Sequence, residues 1–258
     1  MFKVIPLFSG SSGNCTYVKY GEDEILVDAG VSCRMICTSL VSIGTDISNI
    51  RAIFVTHEHS DHIKGLETIA KKYHIPVYIN KNSFDAIESL SLKQAIAPFA
   101  CIKNAEETAD EGEIHAAIFK TPHDSFGSVG YRFTFSDGSC LGYATDIGYI
   151  SRGIAGSLLG CETVILESNH DVEMLQNGPY PYYLKQRILS DRGHLSNDSC
   201  AAFIPHLYEK GTKKVILAHL SEHNNTPIMA YNTSVNAALE AGIGKDELKI
   251  TVAMKSII

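Results

Sequence analysis

The fold class that the sequence predicts is α/β, a four-layer αββα sandwich: two β-sheets packed face to face with helices outside, in one domain over residues 1–258. Three observations predict it. Strand-rich and helix-rich blocks follow one another as strands, helices, strands, helices, not as a strict βαβ alternation. Several strands, such as "RAIFVTH" and "KKVILAHLSE", are continuous apolar runs, as central strands are. Aspartate or histidine follows immediately on several of these runs, which suits strand ends gathered on one rim.

The elements read in order as follows. "FKVIPLF", "CTYVKY" and "EILVDAG" are three short strands separated by Gly-rich turns. "SCRMICTSLVSIG" has helical spacing, with Ser32 as N-cap. "RAIFVTH" is a strand that ends on a histidine cluster, "KGLETIAKKYH" a helix, "IPVYIN" a strand and "SFDAIESLSL" a second helix. Strands then dominate: "APFACIK", "GEIHAAIFKTP", "SVGYRFTFSDG" and "SCLGYATD", with a hairpin turn at Ser136–Gly138. After "CETVILESNHD", helices are expected at "YYLKQRILSD" and "SNDSCAAFIPHLYEKG". "KKVILAHLSE" is an apolar strand, and the helix "PIMAYNTSVNAALEAG" opens at Pro227 and closes at Gly242.

Composition narrows the class. With 45% hydrophobic and 20% charged residues the chain has an ordinary globular balance, and no apolar run approaches the roughly 18 residues that span a bilayer. The start lacks the apolar region of a signal peptide, so a cytoplasmic location and no membrane partner are expected. Seven scattered cysteines fit reduced thiols better than a disulfide framework, and Cys33 and Cys37 read as packing rather than a metal pair. A formal charge of −7 argues against a generic polyanion binder. Two bound divalent cations would add about +4 in one spot and weaken that objection.

The chemistry concentrates at strand ends. Asp28, the run His57, His59, Asp61 and His62, then His123, Asp146 and His219 each lie at or just past an apolar strand. His57 and His59 alternate by two, so an extended turn aims both imidazoles at one ion. Asp61 and His62 are adjacent and reach a second as the chain turns into a helix. His123 or Asp146 alone reads more simply as a core or turn residue; each gains weight by completing a ligand set. The expected assignment is His57, His59 and His123 on one metal, Asp61, His62 and His219 on another, and Asp146 bridging both, as one carboxylate can across roughly 3.5–4 Å. Imidazole and carboxylate without thiolate suit Zn, Mn or Fe. Asp28 is placed behind the ligands, orienting one of the imidazoles.

This ordered set resembles the five motifs of the metallo-β-lactamase superfamily, which implies the αββα sandwich over much of the chain. His59 stands where flavodiiron-like members carry Glu, so oxygen reduction is disfavoured. In the helical half, "VILESNHD" and "DRGHLSNDSCAAF" resemble paired elements of tRNase Z. By that resemblance Glu167 orients His194, and His194 contacts the scissile phosphate and protonates the departing oxygen. Leu166 departs from the histidine of that family, His170 and Asp171 are additions, and no long tRNA-gripping insertion is evident. "FSGSSGNCTYV", "ESNHDVEML", "YPYYLKQRILSDRGHLSN" and "LAHLSEHNN" together resemble the YycJ/WalJ group over nearly the whole chain, with Cys15 where that group usually has serine. That resemblance implies a metal-dependent 5′→3′ exonuclease acting on DNA, with a functional link to a two-component system. A homodimer is the oligomeric state considered.

Other residues divide between function and architecture. Ser12 and Asn14, within "SGSSGN", are read as phosphate-binding against an ordinary Gly/Ser turn. Lys185, Arg187 and Arg192, with His170, are read as substrate-binding against a solvated helix face. His223 is placed behind the ligands. Tyr182 and Tyr183 could stack on bases but read first as packing. In the mechanism expected, the cations acidify a water, Asp61 accepts its proton, and His194 protonates the leaving 3′ oxygen. The alternatives are a small-molecule or cyclic-nucleotide phosphodiesterase, a thioester or lactone hydrolase, and a non-catalytic regulatory partner of a sensor kinase. On the bridging assignment, Asp146→Ala is expected to bring bound metal below about two ions per chain. Metal analysis of the purified variant checks this, and full retention would remove Asp146 from the bridge.

Overall fold

The computed structural model describes residues 1–258. One sheet holds β1 (Lys3–Phe8), β2 (Cys15–Tyr20), β3 (Asp23–Val27), β4 (Ile50–Phe54), β5 (Val77–Ile79) and β6 (Ala100–Ile102) in sequential order. Its first two pairings are antiparallel and the other three parallel. The second sheet holds β7 (Thr108–Glu111), β8 (Ile114–Lys120), β9 (Val129–Phe135), β10 (Cys140–Ala144), β11 (Thr163–Glu167), β12 (Lys214–Ala218) and β13 (Lys249–Val252). Here β7 to β10 form an antiparallel meander, and β10 to β13 run parallel because helices make the crossovers.

Single-residue alternation along the strands decides which layer each side chain enters. Ile25 and Val27, Ala52 and Phe54, Ile165 and Ile216 turn into the cluster between the sheets, where they meet Tyr131, Phe133, Leu141 and Tyr143. Their neighbours Leu26 and Ile53 turn outward, beneath α1 (Cys33–Ser42), α3 (Leu66–Tyr73) and α5 (Leu90–Ile96). On the other side Val164, Leu166, Val215 and Leu217 pack under α6 (Arg152–Leu158), α9 (Asn197–Glu209) and α10 (Pro227–Glu240). Three buried clusters therefore correspond to the three interfaces of a four-layer αββα sandwich, the predicted class. No helix is long and apolar enough to cross a membrane.

Several elements differ from the sequence reading. The single helix expected over "SFDAIESLSL" is two helices, α4 (Lys81–Ala86) and α5, because Ile87 leaves helical geometry and Ser89 caps a new start by accepting from the Leu92 amide. "APFACIK" opens as a 3₁₀ turn over Ala97–Phe99, with Pro98 in it, before the short β6. The edge strands β7 and β13, and the helices α6 and α7 (Val172–Asn177), carry patterns too short for periodicity to reveal. Ser32 does cap α1 by accepting from the Met35 amide.

β4 delivers the histidine run, so its last residue matters. Phe54 is fully buried, stacked on Tyr78 with ring centroids 4.6 Å apart and edge-on to Phe133 at 5.4 Å. Phe54→Ala is expected to cost about 3–5 kcal/mol of stability, the range for a truncated core aromatic. Urea denaturation with an unchanged m-value measures it.

Candidate metal centre

The ends of β3, β4, β8, β10, β11 and β12 open onto one rim, and the residues that follow them converge there. Three of these, Asp28, Asp146 and His219, have φ of 62°, 54° and 57°. A left-handed backbone is uncommon outside glycine and costs roughly 1–2 kcal/mol per residue. Three such residues around one cluster indicate a geometry held for its side chains. The helical turn α2 (Ser60–Ile63) places Asp61 and His62, and its loop lies hard against Gly30, where a Cβ would fall 1.6 Å from the Asp61 carbonyl oxygen.

Four overlapping groups of side chains result, two of them without Asp146. In the first, His57, His59 and His123 bring their ring nitrogens together, with His57 Nε2 2.9 Å from His59 Nδ1. In the second, Asp61, His62 and His219 converge, with Asp61 Oδ2 3.4 Å from His62 Nε2 and 3.7 Å from His219 Nε2. Asp146 reaches into both. Its Oδ2 lies 3.4 Å from His62 Nε2, and its Oδ1 lies 3.5 Å from His219 Nε2 and 3.8 Å from His123 Nε2. Asp146 also groups with His57 and His62, and with Glu167, His194 and His219.

The opposite edges of His62, His219 and His123 are tied down. His62 Nδ1 donates to Asp28 Oδ2 at 2.8 Å, and Asp28 also accepts from the Thr56 amide and hydroxyl. His219 Nδ1 donates to Glu167 Oε1 at 2.9 Å, and His123 Nδ1 donates to the Gly193 carbonyl at 3.2 Å. Each bond fixes a tautomer that leaves Nε2 toward the cluster. Glu167 is fully engaged, since its Oε1 also accepts from His194 Nδ1 at 2.8 Å and its Oε2 from the Ile147 and Leu195 amides. His194 and His219 therefore present Nδ1 to Glu167 as donors, which argues against a further ion between those atoms.

Burial disfavours charge on His62, yet Asp28, Asp146 and Asp61 outweigh it and hold the imidazole well above its usual range. His219 is likewise pushed up to about 10, with burial opposed by Asp146, Asp61 and Glu167. His57 is driven well below its ordinary value by burial and then by the neighbouring histidines. The second group is thus a strongly negative enclosure that favours positive charge. His219 Nε2 and Asp146 Oδ2 are buried with no hydrogen-bond partner, although both face the cluster. Orphaned buried ligand atoms in a cation-favouring field are what a divalent-metal site requires, so the donor set fits a metal.

The other expected site residues divide. Arg187 lines the mouth of the metal pocket with Tyr180, Leu184, Ile188 and His194, and pairs with Asp124. Arg192 donates from Nε to the His123 carbonyl at 3.2 Å and lines an adjoining groove. Lys185, one residue beyond Leu184, points about 100° round α8 (Tyr182–Leu189) and bonds the Gln176 carbonyl instead of facing the pocket. Asn14 is buried, bonding Gly10 and lying 3.2 Å from His62 Nε2, so it packs against the cluster and is not a surface phosphate ligand. Ser12 neighbours Glu222, and Ser11 lines the pocket in its place. His170 is 1% exposed and lines no part of the pocket, which takes it out of direct substrate contact. His223 is exposed and edge-on to Tyr180 at 5.8 Å, away from the ligands, since the chain turns outward after Ser221. Cys15 is wholly buried, and burial raises its thiol well above the usual range. Tyr182 and Tyr183 are not packed but 77% and 74% exposed. Sequence reasoning missed Thr56, whose hydroxyl touches Asp28, His57 and His62, and Asn169, whose amide donates to the His219 carbonyl. Adjacency to the histidine run was the one available signal for Thr56.

Residues 23–220 match the family described as Beta-lactamase superfamily domain. Exodeoxyribonuclease WalJ of Streptococcus pneumoniae is 39% identical over 244 residues, covering 94% of this chain and 90% of that protein. Exodeoxyribonuclease YycJ of Bacillus anthracis is 38% identical over 241 residues, covering 93% and 90%. The solved structure of Zn(2+)-bound PqqB from Methylobacterium extorquens aligns with a TM-score of 0.72 at 16% identity, covering 100% of this chain and 99% of the other, a likeness of fold.

Because Asp28 holds His62 from behind, Asp28→Ala is expected to weaken metal affinity roughly 10–100-fold. Competition with a chromogenic chelator measures it, and unchanged affinity would detach Asp28 from the centre.

Proposed function

The chain belongs to the beta-lactamase superfamily, alongside the WalJ and YycJ proteins, and from that premise we propose that it is a metal-dependent phosphodiesterase, a 5′→3′ exonuclease acting on DNA. The observation that carries the reading is the Glu167–His194 pair beside the His/Asp cluster. His194 Nδ1 is committed to Glu167, and the ring lines the pocket with Asp61, His123, Asp146 and His219. Its Nε2 has no protein partner and is free to meet a substrate oxygen. A hydrolase that needed only metal-activated water would have no use for such a second, oriented imidazole.

His57, His59 and His123 would hold one divalent cation and Asp61, His62 and His219 a second, with Asp146 between them. Zn, Mn or Fe suits these donors. When bound, the cations supply an acidified water, with a pKa near about 7, and neutralise charge on the phosphate. The protein's own groups do the rest. Asp61, part of whose side chain reaches the pocket, accepts the water's proton. Glu167 accepts from Nδ1 of His194 and stabilises its imidazolium form, in which Nε2 also bears a proton, and that second proton passes to the leaving 3′ oxygen and leaves the ring neutral. The released nucleotide then keeps a 5′ phosphate. Arg187, at the pocket mouth, is placed to meet a phosphate if it exchanges its Asp124 partner.

The same proposal treats residues 1–258 as one catalytic domain working in the cytoplasm, with a homodimer and a functional link to a two-component system as its wider setting. His194→Ala is expected to keep its metal and to lose roughly 10²–10⁴ in turnover on 5′-phosphorylated DNA, the contribution of a general acid. Metal analysis combined with 5′- and 3′-labelled strands tests it. An unchanged rate would remove His194 from the reaction, and no cleavage of DNA by the wild-type protein would remove the nuclease.

A further inference from the structure

The chain contains no tryptophan, and two of its five exposed aromatic side chains line a groove that opens beside the metal pocket. Tyr182 and Tyr183 begin α8, which walls the pocket. On the other side, Phe126 and Tyr149 are 76% and 47% exposed and line one groove of about 740 Å³ that begins at His123.

Each of these two rings follows three residues after a residue of the metal cluster, Phe126 after His123 and Tyr149 after Asp146. Their loops are joined, since the Gly148 amide donates to the Pro122 carbonyl at 2.9 Å. The Phe126 loop is also pinned from both ends. The Phe126 amide donates to Glu58 Oε1 at 2.9 Å, and Thr121 and Ser128 bond through both backbone and hydroxyls. Gly127 lies flat on Asn80, where a Cβ would come within 2.3 Å of the amide oxygen. A phenyl ring presented to water by a pinned loop forgoes about 1.5–3 kcal/mol of burial, which points to a surface use.

The groove's polar lining suits a nucleic-acid strand. Lys120 and Arg192 contribute positive charge and Asn80, Asn82 and Asn104 contribute amides that both donate and accept. Two cations, with Asp191 beside them, are too few to hold an extended phosphate backbone by charge on a chain of net charge −7. Stacking on aromatic faces needs no net charge and tolerates every base.

Resting on the nuclease reading above, we infer that this groove is a single-strand track, in which unpaired nucleobases next to the scissile phosphodiester stack on Phe126 and Tyr149. The strand is then drawn into the metal pocket as separated bases, with the rings setting its register and Arg192 meeting phosphate at the entrance. Recognition by this route is sequence-independent and favours an unpaired end over an intact duplex.

The test uses an oligothymidylate probe and binding, with turnover measured separately. Phe126→Ala and Tyr149→Ala are each expected to raise the dissociation constant roughly tenfold by fluorescence anisotropy, and the double variant roughly a hundredfold, with thermal unfolding unchanged. Phe126→Tyr and Tyr149→Phe should keep wild-type affinity, because the stacking face survives. Phe126→Trp installs the sole indole in the chain, and its emission should be quenched as the oligonucleotide saturates. Alanine variants within about twofold of wild type, or no quenching at saturation, overturn the track. If the wild-type protein binds the probe with these effects but cleaves no DNA, the track stands and the nuclease reading falls.

Discussion

Four carboxylates, Asp28, Asp61, Asp146 and Glu167, share one rim with six imidazoles, and Asp28 and Glu167 are completely shielded from water. Burying charge at this density is costly unless every group is paired, and an unpaired member would cost several kcal/mol. The two fully buried carboxylates therefore have defined partners. Asp28 serves His62 and Thr56, Glu167 serves His194, His219 and two amides, and Asp146 lies within reach of both ligand groups. The two unsatisfied buried atoms at the heart of the set, His219 Nε2 and Asp146 Oδ2, mark where the protein relies on something outside itself. Most of the architecture can be understood as a means of holding this enclosure rigid.

Rigidity comes from the sheets. Asp28, His57, His123, Asp146, Glu167 and His219 lie within about three positions of a strand whose alternate side chains are locked into one of three packed interfaces, while Asp61 and His62 ride on α2. Phe54 anchors the end of β4 in the central layer just ahead of Thr56 and His57. Left-handed backbone at Asp28, Asp146 and His219 turns each side chain back across the strand ends. Such strain persists only where packing over-determines it, and this is a place where stability is given up for geometry.

The helical half adds what the metal ligands alone do not specify. Glu167 links the ligand cluster to the pocket wall, since one oxygen serves both His219 in the cluster and His194 at the wall. Protonation and ligand position are therefore coupled through a single side chain. Around this core the surface is acidic on balance but ringed by exposed aromatics and a few arginines, a combination suited to a strand held by stacking with phosphate contacts kept local.

Much of this was legible in the chain itself. Apolar runs ending in Asp or His were enough to expect strands delivering ligands to a rim, and the two-residue spacing of His57 and His59 expressed their shared direction. Block order was enough to expect the αββα layers. Such signals are local, because strand period and ligand chemistry are properties of short segments. The role proposed for His194 was accessible only through resemblance, Asn14 was placed by the Gly/Ser turn that contains it, and Lys185, His170 and His223 were placed by proximity in sequence to the motifs. Which way those side chains point depends on helix phase, burial and long-range contact: Lys185 is turned aside by α8, His170 and Asn14 are covered by packing, and His223 swings outward. Short sequence range determined the fold class and the chemistry of the candidate ligands. Only the tertiary structure decided which groups share a cavity, because the contacts that orient them, such as Asp28 with His62 and Glu167 with His219, join residues 34 and 52 positions apart.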